Sequence, residues 1–385
     1  MPSLVGSEMC IRDSPTPTSL DEVPAAVEAR LREFFAAALP VAEAISPAVG
    51  AAAEVVRDFV LQGGKRIRPV FVHAGWRCGI SARAAGADAA EAADTLRVCA
   101  ALELVQACAL IHDDIIDRSD TRRGRPTVHR DFEHRHRDRQ WSGDPGGFGV
   151  AAAILAGDLA LAWADDLVHG LAPGAAPDDD ATPLPAPVGA TWASMRTEVL
   201  GGQYLDIVNE AAGDESVQAA YQVMEYKTAA YTVARPLELG ARMAGAPADL
   251  IADLRSVGHD LGIAFQLRDD LLGVFGDPAR TGKPSGDDLI SGKRTALLAT
   301  ALRRAGDTGP RLAAQLRDAI GRELSDDELA SARSILVDVG AVDEVESTIS
   351  ELLTSALSVL ARADIGPQIR DELTAVAHRT AHREA

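Results

Sequence analysis

A chain of 385 residues has room for two or three domains at about 150 residues each, or for one large one. Hydrophobic residues at 47% and charged residues at 25% give it ample core-forming surface, which excludes wholesale disorder. A net charge of −19 argues against general affinity for nucleic acid or anionic lipid, so an anionic ligand has to be held by a local basic cluster or by metal ions.

The opening MPSLVGSEMCIRDS lacks the charged start and long apolar run of a secretory signal, and it looks like a translated sequencing adapter. Residues 1–20 are therefore expected to form a disordered leader, non-native at its start, ahead of an all-helical domain over 21–385. Alanine, leucine, arginine and glutamate dominate and aromatic residues make up only 4%, a balance that favours helix over strand. Helical periodicity runs over Leu20–Leu61, Ala90–Asp117, Ala151–Leu171, Trp192–Ala211, Ser216–Ala244, Ala248–Val274 and, with breaks, from Lys293 to the end. Two stretches rich in proline, glycine and aspartate, Arg139–Gly147 and Pro173–Gly189, read as loops, the second mobile. No linker or fixed-period repeat divides the chain.

The most apolar stretch, Val98–Ile111, carries Glu103 and Gln106 and falls short of the roughly 20 residues of a bilayer span, so no transmembrane helix is expected. Cys10, Cys78, Cys99 and Cys108 lie far apart, without a C-x-x-C pair, which suits a reducing cytoplasm.

The sharpest local feature is LIHDDIID at the end of the second helical run. Residues four apart share a helix face, so Asp113 and Asp117 project together with Asp114 beside them, and Gln106 lies on the same stripe. Carboxylates gathered at a helix C-terminus oppose its dipole and call for compensating positive charge. A divalent cation such as Mg²⁺ would supply it; so would Arg118, Arg122 and Arg123, in which case this is a solvated acidic helix end. A second stripe in FQLRDDLL places Gln266, Asp269 and Asp270 on one face, which favours the metal, because two such faces can hold cations between them. The next step along that face is Gly273, which offers no ligand.

Basic residues complete the inventory. Lys65 and Arg68 follow a glycine pair in GGKRIRP, where amides and cationic tips can meet a phosphate; the spacing is not that of a P-loop. TRRGRPTVH supplies Arg122 and Arg123, YKTAAYT supplies Lys227 and Thr228, and TGKPSGDD supplies Lys283. Each taken singly reads as a solvated surface charge.

In order, GGKRIRP, LIHDDIIDRSDTRRGRPTVH, LAGDLAL, LGGQYLDI, YKTAAYTVARPLELG, FQLRDDLLGVFGD and GKPSGDDLISGKRT resemble the trans-isoprenyl diphosphate synthases from Leu61 to Thr295. The resemblance implies an all-α fold, a single large helical bundle around a central cavity, in a homodimeric enzyme that uses three Mg²⁺ ions. It implies that Asp113, Asp114, Asp117, Asp269 and Asp270 serve the metals, with Asp113, Asp117 and Asp269 the ligands that matter for catalysis. Lys65, Arg68, Gln106 and Arg123 would hold isopentenyl diphosphate. Arg122, Lys227 and Lys283 would grip the allylic diphosphate, Lys227 also acting in catalysis, while Gln203, Thr228 and Gln266 line the pocket. Such an enzyme ionises an allylic diphosphate, joins the cation to isopentenyl diphosphate and loses a proton, with no protein nucleophile.

In this family the residues four and five positions before the first aspartate form the floor of the chain pocket. Here they are Ala109 and Cys108, with Val105 a turn deeper. Both are small, so the expected product is geranylgeranyl diphosphate (C20), with farnesyl or longer polyprenyl products as alternatives. A class I terpene cyclase would have no need of GGKRIRP, and a non-catalytic partner subunit would have lost an acidic motif.

Overall fold

The computed structural model describes residues 17–83, 89–171, 183–277 and 286–381. Lys283, residues 1–16 of the expected leader and residues 173–182 of the expected 173–189 loop lie outside the described residues; the end of that loop is helical instead, a helix beginning at Ala186. Apart from one two-residue hairpin, the described secondary structure is helical, as the composition predicts. Contacts among the described residues gather into two compact units, one drawn from 17–73, 89–120, 127–171 and 183–184, the other from 74–83, 121–126, 185–277 and 286–381.

The first unit is built around α4 (Ala89–Ile116). Every residue from Val98 to Leu104 is buried, so this helix is enclosed on all sides, as one apolar around its whole circumference must be. Around it lie α1 (Val23–Ile45), α2 (Pro47–Leu61), α5 (Val128–Asp138) and α6 (Pro145–Val168). The predicted helix over 20–61 is two helices. Ser46, with its extended backbone, ends α1, and its hydroxyl accepts from the Ala48 N–H at 3.2 Å to start α2. Phe34 and Phe35 of α1 meet Trp163 of α6 edge-on, with ring centroids 5.9 Å apart in both pairs. Residues 17–20, assigned to the leader from sequence, are packed: His73 Nε2 lies 3.2 Å from the Pro17 carbonyl and Leu20 is buried.

Two helices escaped the periodicity. In α3 (Ile67–Ser81) a proline, two glycines and several β-branched residues lower local helix propensity, while α5 is polar over most of its circumference. Helix α6 starts earlier than the pattern suggests, because Asp144 caps it by accepting from the Gly146 and Gly147 N–H groups at 3.3 and 2.8 Å. By length and composition alone the helices over Ala90–Ile116 and Pro145–Val168 are apolar enough to cross a membrane, a test that core helices also pass; the first is mostly buried, as a core helix is.

The second unit centres on α10 (Ala248–Phe275). Before it come α7 (Ala186–Ala212), closed by Gly213 in the left-handed conformation, and one unbroken helical rod comprising α8 (Val217–Val223), a π-helical stretch Met224–Ala234 and α9 (Arg235–Met243). Six helices follow: α11 (Asp287–Ile290), α12 (Ala296–Thr308), α13 (Pro310–Asp318), α14 (Asp326–Asp338), α15 (Ala341–Arg362) and α16 (Pro367–Ala381). Helix α10 packs on the π-helical stretch and on α15. A half-buried ionic cluster around the buried Glu238 ties α7 to α9: Arg235 bonds both oxygens of Glu198 and donates to Glu238 at 2.6 Å, and Arg242 donates to Glu238 at 2.8 Å.

Candidate active site

In the first unit, α4 delivers the first acidic motif. The Asp117 N–H donates to the Asp113 carbonyl at 2.8 Å, so the helical path continues one residue past Ile116 and the two carboxylates share a face. Asp113 is half-buried, Asp117 is exposed and Asp114 is buried. Behind them, Val105 and Cys108 are buried and Ala109 is half-buried. The Cys108 thiol points toward His112, Sγ to Nδ1 3.7 Å, while burial pushes that thiol up to about 12. Ala109, and not Cys108, is therefore the small residue on the Asp113 face.

The GGKRIRP loop joins α2 to α3, with Lys65 exposed and Arg68 half-buried. Gln106 is half-buried on α4. In the second unit, β1 (Thr121–Arg122) and β2 (Arg125–Pro126) pair Arg122 with Arg125, leaving Arg123 and Gly124 as a two-residue turn with φ of 53° and 72°. That is the chirality a tight hairpin needs, and it presents two arginines side by side.

The second unit also holds the second acidic motif. Gly202 of α7 lets that helix reach the π-helical stretch, since a Cβ there would lie 2.3 Å from the Lys227 nitrogen. Beside this contact Lys227 Nζ donates to Asp206 at 2.6 Å. The Thr228 hydroxyl donates to Gln266 Oε1 at 2.8 Å, Gln266 Nε2 donates to Asp270 Oδ1 at 2.9 Å, and the Ala296 N–H donates to Asp270 Oδ2 at 3.0 Å. Asp270 thus stands buried at the end of a relay, and burial pushes its carboxyl up to about 7. Asp269 is half-buried on the adjoining face and Gln203 is half-buried on α7.

Two residues passed over in the sequence belong here. Asp206 lies in LGGQYLDI but shows no pattern by itself; only the fold brings it to Lys227. Asp288 places its carboxylate against Gly273, the position without a ligand in the second motif.

Among the described residues, no group of three or more His, Cys, Asp or Glu side chains is gathered as a metal cage. Asp113 and Asp117 supply two hard oxygen donors on one face, the donor type Mg²⁺ takes alongside water and phosphate oxygens.

This is the frame of an all-α transferase acting on diphosphates, and the comparisons with known proteins agree. The sequence model of the polyprenyl synthetase family matches residues 50–336. The chain is 34% identical to the (2E,6E)-farnesyl diphosphate synthase of Mycobacterium tuberculosis over 323 residues, covering 84% of this chain and 80% of the relative. It is also 34% identical to the geranylfarnesyl diphosphate synthase of Aeropyrum pernix, covering 78% and 84%. Among solved structures, the geranylgeranyl pyrophosphate synthase from Corynebacterium glutamicum complexed with isoprenyl diphosphate and magnesium superposes with a TM-score of 0.86 at 47% identity, covering 95% and 99%. The chain belongs to the polyprenyl synthetase family. It is a trans-prenyl diphosphate synthase, a transferase of prenyl groups.

Proposed function

We propose that this enzyme extends an allylic diphosphate with isopentenyl diphosphate and stops at the C20 product, geranylgeranyl diphosphate. The observation that carries this reading is on α4: Ala109, one turn before Asp113 and on its face, leaves the wall behind the carboxylates low. The 47% identity to a solved geranylgeranyl pyrophosphate synthase agrees with this product, while curated farnesyl, geranylfarnesyl and geranylgeranyl synthases all stand at 34%.

In this reading Asp113 and Asp117, with Asp114, would hold two of three Mg²⁺ ions, and Asp269, with Asp270 beside it, would hold the third. When bound, Mg²⁺ offsets the charge of a departing diphosphate. Lys65, Arg68, Gln106 and Arg123 hold isopentenyl diphosphate. Arg122, Lys227 and Lys283 grip the allylic diphosphate, and Asp206 fixes where the Lys227 ammonium can reach. The allylic C–O bond breaks with its electron pair going to diphosphate. Thr228, Gln266 and Gln203 present oxygen dipoles to the resulting cation. The double bond of isopentenyl diphosphate attacks C1, and one proton passes to the released diphosphate or to a nearby hydroxyl, which restores neutrality at carbon. Positioning and electrostatics supply the rate; no side chain becomes covalently attached.

Incubation with Mg²⁺, isopentenyl diphosphate and the C5, C10 or C15 primer, followed by sizing of the dephosphorylated products, tests the reading. A C20 product is expected. Accumulation at C15 would overturn the chain length, and no consumption of isopentenyl diphosphate would overturn the reaction. We also propose a cytoplasmic homodimer. Cys78, Cys99 and Cys108 are free, buried thiols, and α6 leaves Ile154 and Leu155 exposed. Light scattering of the eluting protein tests the assembly.

A further inference from the structure

We infer that Arg66 is a positioning residue for the isopentenyl diphosphate loop, acting through a buried ion pair with Glu103. The inference rests on the role given above to Lys65 and Arg68, and it concerns a residue that touches no substrate. Within GGKRIRP the two flanking cations are exposed or half-buried, whereas Arg66 is 6% exposed. Its guanidinium donates to Glu103, itself 8% exposed, and to the Val60 carbonyl at 2.6 Å. To make this turn inward Arg66 adopts a φ of 46°, a region that side-chain-bearing residues seldom enter. Something has to hold it there, and the two hydrogen bonds are what the structure provides.

The partner residue gives the ion pair its meaning. Glu103 lies three residues before Gln106 and ten before Asp113, on the same stripe of α4. Four residues before Glu103, the Cys99 thiol donates to the Pro69 carbonyl at 3.5 Å. The loop is hooked at both its middle and its end to the helix edge that carries a substrate ligand and the first metal ligand. At about 1.5 Å of rise per residue, Gln106 stands about 4.5 Å beyond the hook. Arg66 therefore sets the register of Lys65 and Arg68 against Gln106. A buried ion pair adds little net stability because desolvation offsets its attraction, so its removal as a pair is read in loop position and not in folding.

The test compares wild type with Arg66→Met/Glu103→Leu, which removes the tether without stranding a buried charge, and with Arg66→Lys, which keeps the charge but loses the forked donors. Expected for the double variant is a rise of about tenfold or more in KM for isopentenyl diphosphate, KM for the allylic substrate within about twofold, and an unshifted melting temperature. Hydrogen exchange at the amides of residues 62–68 should quicken while the rest of α4 keeps its protection, and Arg66→Lys should fall between. An unchanged KM for isopentenyl diphosphate, unchanged exchange in the loop, or both KM values and the melting temperature worsening together would overturn the inference. A wild-type protein that consumes no isopentenyl diphosphate would instead sink the proposed reaction, and loop exchange would then decide whether Arg66 orders the loop.

Discussion

The carboxylate of Asp288 stands where a side chain on Gly273 would begin: a Cβ built at 273 would lie 1.8 Å from Oδ2 and 2.5 Å from Cγ. The glycine at the end of the second acidic motif is thus the condition for a carboxylate that arrives from α11. Asp288 also faces Asp270, whose charged form it disfavours. We expect Gly273→Ala to push the Asp288 carboxylate out, a displacement that offsets the roughly 1 kcal/mol of helix propensity alanine gains over glycine. In an Asp288→Ala background the same substitution should be more favourable. Thermal denaturation of the four proteins forms a double-mutant cycle, and equal effects in both backgrounds would refute the contact.

The first acidic motif should separate activity from stability. Asp113→Asn and Asp117→Asn are expected to lower prenyl transfer by more than about 100-fold. Stability should stay level or rise by up to about 1 kcal/mol, because both changes remove negative charge from a helix C-terminus. Chelation should abolish turnover and added Mg²⁺ restore it. Steady-state assays and melting curves check this, and a large loss of stability with modest loss of rate would point to a structural role.

Product length should respond to the wall behind Asp113. Ala109→Phe raises that wall on the acidic face and is expected to shift products from C20 to C15 or shorter. Cys108→Phe should act less cleanly, because that side chain is directed at His112. Chromatography of dephosphorylated products decides, and an unchanged chain length in Ala109→Phe would remove that residue from the pocket.

One pH effect follows from a helix cap. Ser325 and Glu328 form a capping box at the start of α14, with the Ser325 N–H donating to Glu328 at 2.8 Å. That backbone bond, together with Arg322, holds the Glu328 carboxyl down at about 2. A folded-state value below the ordinary carboxylate range means that the support is fully present above about pH 4 and is lost as pH falls toward the folded value. The stability difference between wild type and Glu328→Gln should therefore shrink on acidification from about pH 5 to pH 2. A difference that stays constant across that window would contradict the assignment.

What the amino-acid order determined by itself was local in range. Asp113 with Asp117, and Gln266 with Asp269 and Asp270, are placed by helical periodicity alone, and the all-α class follows from composition. The π-helical stretch that carries Lys227 and Thr228 was illegible, since its residues match an ordinary helix and only the backbone hydrogen-bond register differs. Beyond that range tertiary structure decided. Arg66 to Glu103, Lys227 to Asp206, Asp270 to the Ala296 N–H and Asp288 to Gly273 join residues between 15 and 37 positions apart. No periodicity encodes such pairs, because which buried charge meets which depends on how helices are threaded and on where a missing side chain leaves room.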